Sequence, residues 1–264
     1  MRDRIDRAGR RRRTNTGARL YGDLSWLWPL WGDATVEYAR YCDHVVGLVR
    51  RYALRPTRTL LNIGCGGGKN LLNLKRDFLV TGLDLSPAMI AQARVLNPGC
   101  EIVPGDMRSF ALGRTFDAIL MDDAISSMDT REDFEATFRT AFAHLAPGGV
   151  LVATPDVTKE TFRQNRTTAT PAAAAAKPAD LDVAFVENVY DPDPEDDRYE
   201  TTMVFLVRRQ GVLQVETDVV SLGVFSIETW REVLSGTGLE VNEGTYADGE
   251  DEYVVFACVR PAGS

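Results

Sequence analysis

Cysteine and histidine are scarce in this chain, with four cysteines and two histidines among 264 residues. The cysteines at 42, 65, 100 and 258 lie far apart with no C-x-x-C pair, so neither a disulfide framework nor a zinc site is supported. Long apolar runs are missing as well. None approaches the roughly 18–20 residues that a membrane span needs. The charged N-terminus is not followed by the apolar stretch of a secretory signal. A cytoplasmic protein with no membrane partner is therefore expected. Positive charge is short over most of the chain: 30 Lys and Arg face 38 Asp and Glu, a net of −8. Residues 1–20 alone hold eight Arg against Asp3 and Asp6, a net of +6, which leaves −8 − 6 = −14 on the rest. So acidic a body repels polyanions and argues against a nucleic-acid partner.

What is present is an ordinary apolar content of 44%, enough to bury a real core. Residues 1–19 read as a disordered basic arm, because Arg10 to Arg13 repel one another and few apolar residues anchor them. Residues 20–58 read as an N-terminal lid and helix. Tyr21, Leu24, Trp26, Leu27, Trp28, Leu30 and Trp31 crowd its start and must pack on the core or on a ligand, and an amphipathic helix follows over 36–54.

From Thr59 a strand and helix rhythm begins. Thr59–Ile63, Phe78–Leu83, Glu101–Val103, Phe116–Met121 and Val150–Thr154 read as strands. Ser86-Pro87 opens one intervening helix as N-cap and first residue, and Phe134, Phe138, Ala141 and Leu145 mark one face of another. The order predicts an α/β fold with a doubly wound parallel sheet over 59–155. Past Thr154 the rhythm breaks. Residues 167–180 read as a loop, whereas Ala184–Tyr190, Tyr199–Arg208 and Val212–Leu222 read as extended segments of an antiparallel insertion over 156–222. A helix after Phe225-Ser226 and a pair of strands, Leu239–Tyr246 and Glu252–Val259, return residues 223–264 to the main sheet, for seven strands in all.

The chemistry-bearing motifs sit at strand ends. The first strand runs into Gly64-Cys65-Gly66-Gly67-Gly68, whose glycines let a ligand approach backbone amides at a helix start. Asp84 stands twenty residues after Gly64 at the tip of the second strand, where a carboxylate accepts hydrogen bonds from both ribose hydroxyls of a nucleoside. A dinucleotide site wants a third glycine where Lys69 stands, so the spacing favours a nucleoside without pyrophosphate. Gly105-Asp106-Met107 closes the third strand with an acceptor for an adenine amino group and a thioether for its face.

With Leu83-Asp84-Leu85-Ser86-Pro87-Ala88-Met89, Phe116-Asp117-Ala118-Ile119-Leu120 and Leu145-Ala146-Pro147-Gly148-Gly149-Val150 in the same order, residues 60–152 resemble a class I S-adenosylmethionine-dependent methyltransferase. The resemblance implies a Rossmann-like fold and S-adenosyl-L-methionine as cofactor. It also implies that Gly64, Cys65, Gly66 and Gly68 line the methionine part, that Asp84 holds the ribose, and that Leu85 and Met89 pack near the adenine. Asp106 with Met107 then reads the adenine edge, and Met121 at the end of the fourth strand joins the set. One departure is Asn62, where the family usually carries an acid. Tyr21, Trp28, Gly32-Asp33, Glu37-Tyr38 and the C-terminal Gly223-Val224-Phe225-Ser226 with Trp230 resemble the small-molecule N-methyltransferases of glycine-like amines and amino sugars. In that group a Tyr and a Trp cover the cofactor, which implies a lid role for Tyr21 and Trp28.

Methyl transfer is an in-line displacement, sped chiefly by alignment; a neutral amine needs no strong base, whereas a hydroxyl usually needs one, or a metal. Asp122 and Asp123 follow the fourth strand and are the catalytic candidates, with Tyr21 counted beside them. They orient or deprotonate an ammonium substrate, or else merely cap the next turn; with Asp156 they offer a third alternative, Mg²⁺. No metal is expected. Met128 stands where some amino-sugar enzymes place a histidine, and His44 and His144 read as structural. The expected activity is methylation of a small metabolite at an amine nitrogen, the acidic stretches after residue 180 suiting a cationic substrate. O-methylation, a cofactor-binding protein without catalysis and a homodimeric state stay open.

Overall fold

The computed structural model describes residues 18–173, 178–249 and 251–263. Its first half follows the pattern of short apolar strands, each released into a helix: α1 Glu37–Tyr52, β1 Thr59–Ile63, α2 Lys69–Leu74, β2 Leu79–Asp84, α3 Pro87–Leu96, β3 Glu101–Pro104, β4 Phe116–Met121, α4 Arg131–His144 and β5 Leu145–Ala153. Caps set the helix starts: Ser86 Oγ, the expected cap, accepts from the Met89 amide at 3.2 Å, and Thr130 Oγ1, not foreseen, accepts from the Asp133 amide at 3.2 Å. The chain then forms β6 Thr167–Pro171, β7 Leu181–Tyr190, β8 Arg198–Arg209 and β9 Val212–Gly223, and ends with α5 Ile227–Gly236, β10 Glu240–Asp248 and β11 Asp251–Val259.

The main sheet has the order β10-β11-β5-β4-β1-β2-β3. Strands β1 to β5 pair in parallel, and β11 runs antiparallel to β5 and β10. Alternate residues of each central strand face opposite sides, so the sheet is covered twice. Leu61, Ile63, Ile119 and Met121 pack with Phe134 and Phe138 of α4 and Trp230 of α5. Leu60, Ala118 and Leu120 pack on the other face with Val45 and Val49 of α1 and Leu71 and Leu74 of α2. The strand order reverses between β1 and β4, which opens a crevice at their carboxyl ends, where an open α/β sheet takes its ligand.

Two expectations change. The segment 167–180 is not all loop, because β6 pairs antiparallel with β7 from Thr167↔Asn188 to Pro171↔Ala184. Its side chains are mostly exposed and carry no two-residue alternation, so only the long-range pairing makes it a strand. The Ala-rich residues 174–177 lie outside the described residues, as do 1–17, where most of the expected arm falls. Arg19, assigned to that arm, is tied down: it pairs with Asp23 at 2.7 Å and Glu216 at 2.9 Å.

The lid and the insertion share a core. Leu20, Leu24, Leu27 and Leu30, on two 3-10 turns at Arg19–Tyr21 and Ser25–Leu30, pack against Leu181, Val183, Phe185, Met203, Phe205 and Val207. Trp31 stacks on Phe185 with ring centroids 5.0 Å apart. The tryptophan-rich segment thus covers one face of the sheet β6-β7-β8-β9.

Candidate active site

The glycine loop leaves β1 in a shape that side chains would block. Gly64 has φ +69°, and a Cβ there would lie 2.3 Å from the Ala124 Cβ; a Cβ on Gly67 would lie 2.4 Å from the Trp28 ring. Asp84 braces this loop from β2. Its Oδ2 accepts from the Gly66 amide at 2.8 Å and its Oδ1 from the Ser86 amide at 2.9 Å. Burial pushes its carboxyl above the usual range, against the pull of those two amides.

Under the loop, Asn62 is fully buried. Its Nδ2 donates to the Leu120 carbonyl at 3.4 Å, while its Oδ1 has no partner. A buried acceptor left open beside a loop of close-approach glycines fits a cofactor that brings an ammonium group.

The remaining cofactor candidates divide. Leu85 is half exposed at the crevice mouth, and Met107 lies 3.5 Å from where a Gly64 Cβ would stand. Cys65 packs its thiol in the apolar layer under α1 and α2, with Sγ 3.6 Å from the Gly66 carbonyl of the loop. Met89 is buried on α3. Met121 is a correction: its side chain is wholly buried in the core and its carbonyl takes the Thr154 amide at 3.0 Å, so it packs and does not line the crevice. Asp106 is already paired. Arg108 holds it through Nε at 2.9 Å and Nη2 at 2.5 Å, which keeps its carboxyl below the usual range, and Arg108 reaches on to Asp133 at 3.0 Å.

The lid meets the loop through a residue that sequence reasoning passed over as a missing glycine. Lys69, only 3% exposed at the start of α2, donates to the carbonyls of Trp28 at 3.2 Å, Gly32 at 3.4 Å and, more closely, Trp31. Its ammonium also stands 4.2 Å from the Trp28 ring centroid and 5.0 Å from that of Tyr38. Trp28 is thereby clamped between Lys69 and Gly66-Gly67. Tyr21 enters from the same segment, its carbonyl accepting from Ser86 Oγ at 2.6 Å. Burial raises its phenol far above the usual value, with added repulsion from Asp123 and Asp84, so Tyr21 stands between the loop and the end of β4.

Asp122 and Asp123, adjacent in sequence, do different work. Asp122 Oδ2 accepts from Asn70 Nδ2 of α2 at 2.9 Å. The Tyr41 hydroxyl of α1 also bonds Asp122 and lies 2.8 Å from Thr154 Oγ1. Asp122 therefore ties α1, α2, β4 and β5 together. Asp123 is exposed and lines a cavity of ≈ 160 Å³ beyond the ends of β4 and β5. Its carboxyl is pushed up by its depth in the protein and then by the charges of Asp122 and Asp156. Glu37, Asp156 and Asp248 complete five carboxylates on the cavity wall, with the phenols of Tyr38, Tyr41, Tyr246 and Tyr253 between them. No lysine or arginine lines it among the described residues.

Glu187 is the acid near the site least visible beforehand. It continues the inward row Leu181, Val183, Phe185 of β7, and its carboxyl is pushed up to about 7 by burial and by Asp156. A lone acid at an inward position of an apolar strand was the available signal. His144 is structural as expected, its Nε2 accepting from the Leu112 amide at 3.0 Å. Among the described residues no group of three His, Cys, Asp or Glu is arranged to hold a metal ion, and no helix is long and apolar enough to cross a membrane.

Comparison with known proteins agrees with this geometry. A family model described as a methyltransferase domain matches residues 60–149. The dTDP-3-amino-3,6-dideoxy-alpha-D-glucopyranose N,N-dimethyltransferase of Streptomyces fradiae is 30% identical over 209 residues, covering 78% of each chain. The dTDP-3-amino-3,4,6-trideoxy-alpha-D-glucopyranose N,N-dimethyltransferase of Streptomyces venezuelae is 36% identical over 128 residues, 48% of this chain and 54% of that one. Among solved structures, DesVI from Streptomyces venezuelae superposes with a TM-score of 0.76 at 27% identity, over 91% of this chain and 96% of that one. An amino pentose methyltransferase from Micromonospora echinaspora, with S-adenosylmethionine bound, gives 0.72 at 26% identity over 89% and 95%.

Proposed function

The chain belongs to the class I S-adenosylmethionine-dependent methyltransferases, and from that premise we propose that it methylates the amine nitrogen of an amino-sugar-like metabolite. The carrying observation is the wall of carboxylates and phenols at the ends of β4 and β5, one strand away from the glycine loop. The amino-sugar substrates named for the relatives support the same reading.

Gly64, Gly66 and Gly68 with the open Asn62 Oδ1 would hold the methionine end of the cofactor, Asp84 the ribose, and Leu85 and Met107 the adenine side. Bound there, S-adenosylmethionine supplies a methyl group made electrophilic by its sulfonium. The protein's own part is placement and proton handling. Asp123, whose raised affinity for protons is set by its two acidic neighbours, accepts the proton that an ammonium must lose before its lone pair is free. Asp122, held by Asn70 and Tyr41, keeps that loop in register. Trp28, clamped by Lys69, and Tyr21 close the site over the cofactor and exclude water.

Incubation of the protein with S-adenosylmethionine and a panel of amines and matched alcohols, with and without EDTA and read by mass spectrometry, tests the proposal. One or two methyl groups on nitrogen, indifferent to EDTA, are expected. Methylation confined to hydroxyl acceptors would overturn it.

A further inference from the structure

The relatives named above act on sugars carried on a nucleoside diphosphate, yet the cavity in this chain is built for the opposite charge. Its five carboxylates come from four places in the fold: Glu37 at the start of α1, Asp122 and Asp123 after β4, Asp156 after β5, and Asp248 at the end of β10. Among the described residues Asp248 alone of the five is in a salt bridge, with Arg40 at 2.9 Å. Arg166 is spent at 2.7 Å on Asp251, at the start of β11. Asp122 is satisfied by neutral donors. Glu37, Asp123 and Asp156 face the space without a salt bridge among the described residues, Glu37 feeling Lys69 and Asp156 feeling Arg166 only at longer range, and Glu187 adds its carboxyl from β7.

A diphosphate brought here would meet carboxyls and phenols and find, among the described residues, no guanidinium or ammonium on the wall to receive it. An amine with several positive charges meets the reverse. It would relieve the mutual repulsion that now raises Asp123 and Asp156, and the faces of Tyr38, Tyr246 and Tyr253 suit both ammonium groups and the C–H surface of a saturated ring.

We propose that the substrate is a free amine carrying at least two positive charges and no phosphate, of the diamino-sugar or aminocyclitol class, and not a nucleotide-linked sugar. This rests on the amine-methylation reading, but its test separates the two because it reads binding. The full chain, loaded with S-adenosylhomocysteine, is titrated by calorimetry with 2-deoxystreptamine, with the methyl glycoside of a 3-amino-3-deoxy sugar, with the dTDP-linked form of that sugar, and with thymidine diphosphate.

The diamine binds tightest, about tenfold more tightly than either nucleotide, and loses about tenfold as salt rises from 0.05 to 0.5 M. Titrations in buffers of different ionisation enthalpy show protons released on diamine binding, because a cation drives off the protons that the crowded carboxyls retain. Asp156→Asn weakens the diamine about fivefold and does not weaken either nucleotide. Nucleotide binding equal to or tighter than the diamine's overturns the proposal, as does absence of diamine binding at millimolar concentration or indifference to Asp156→Asn. If the diamine binds as described and is not methylated on nitrogen when S-adenosylmethionine is supplied, the methylation reading fails and the charge preference stands.

Discussion

Replacing Glu187 by Gln should stabilise the unliganded protein at neutral pH and not at acid pH. The side chain points inward from β7, opposite Met203 of β8 and in line with Phe185, into a region that already holds the charges of Asp123 and Asp156. An ordinary glutamate titrates near 4.5, whereas this one is pushed up to about 7. Below pH 4.5 the group is protonated whether the chain is folded or not, and its burial is not penalised by charge. Between 4.5 and about 7 the unfolded chain gives up the proton and the folded chain keeps it, so stability falls as pH rises through that window. At ~1.4 kcal/mol per pH unit the full penalty is ~3 kcal/mol, which water in the open cavity reduces to ~1–2 kcal/mol. Gln keeps the shape and removes the titration. Thermal melts of both proteins without ligand should give a variant melting about 4 °C higher at pH 8, with the difference vanishing or reversing at pH 4.5. A variant that melts lower at pH 8, or a difference independent of pH, would refute the reasoning.

Other substitutions probe the remaining parts of the site. Asp84→Ala removes the acceptor for the Gly66 and Ser86 amides and should weaken S-adenosylhomocysteine about 100-fold by calorimetry, since it loses a charged hydrogen bond and the loop's brace together. Lys69→Met frees the carbonyls of Trp28, Trp31 and Gly32. The tryptophan emission should then move to the red and the KM for S-adenosylmethionine rise about tenfold while kcat changes less than about twofold. Asp123→Asn should lower kcat about 100-fold and flatten the acid limb of the pH–rate profile, whereas Asp122→Asn, which perturbs the framework of Asn70 and Tyr41, should lower the melting temperature as well as the rate.

Most of the cofactor half was legible because its signals are local. A strand of five residues, a glycine cluster and a short helix follow one another within 59–74, and Asp84 with the Ser86-Pro87 cap opens the next unit. Alternation and capping act within a few residues, so they survive in the linear text. The substrate side was harder. Strand β6 is a strand only because β7 lies beside it, and Glu187 became interesting only once the register of β7 and β8 showed which way it points. Met121 was misread for a related reason: strand-end position suggests the crevice, and only packing shows the side chain turned into the core.

The sequence by itself determined the α/β order, the glycine loop, the acidic tip at Asp84 and hence the class of cofactor. These depend on backbone geometry and on neighbours a turn or a strand away. Tertiary structure alone decided that Asp122 is bound and Asp123 is open, that Lys69 clamps Trp28, and that acids from α1, β4, β5 and β10 converge on one cavity without a cation of their own on its wall. Charge acts through space and not along the chain, so residues as far apart as Asp123 and Glu187 affect protonation only after the fold has brought them together.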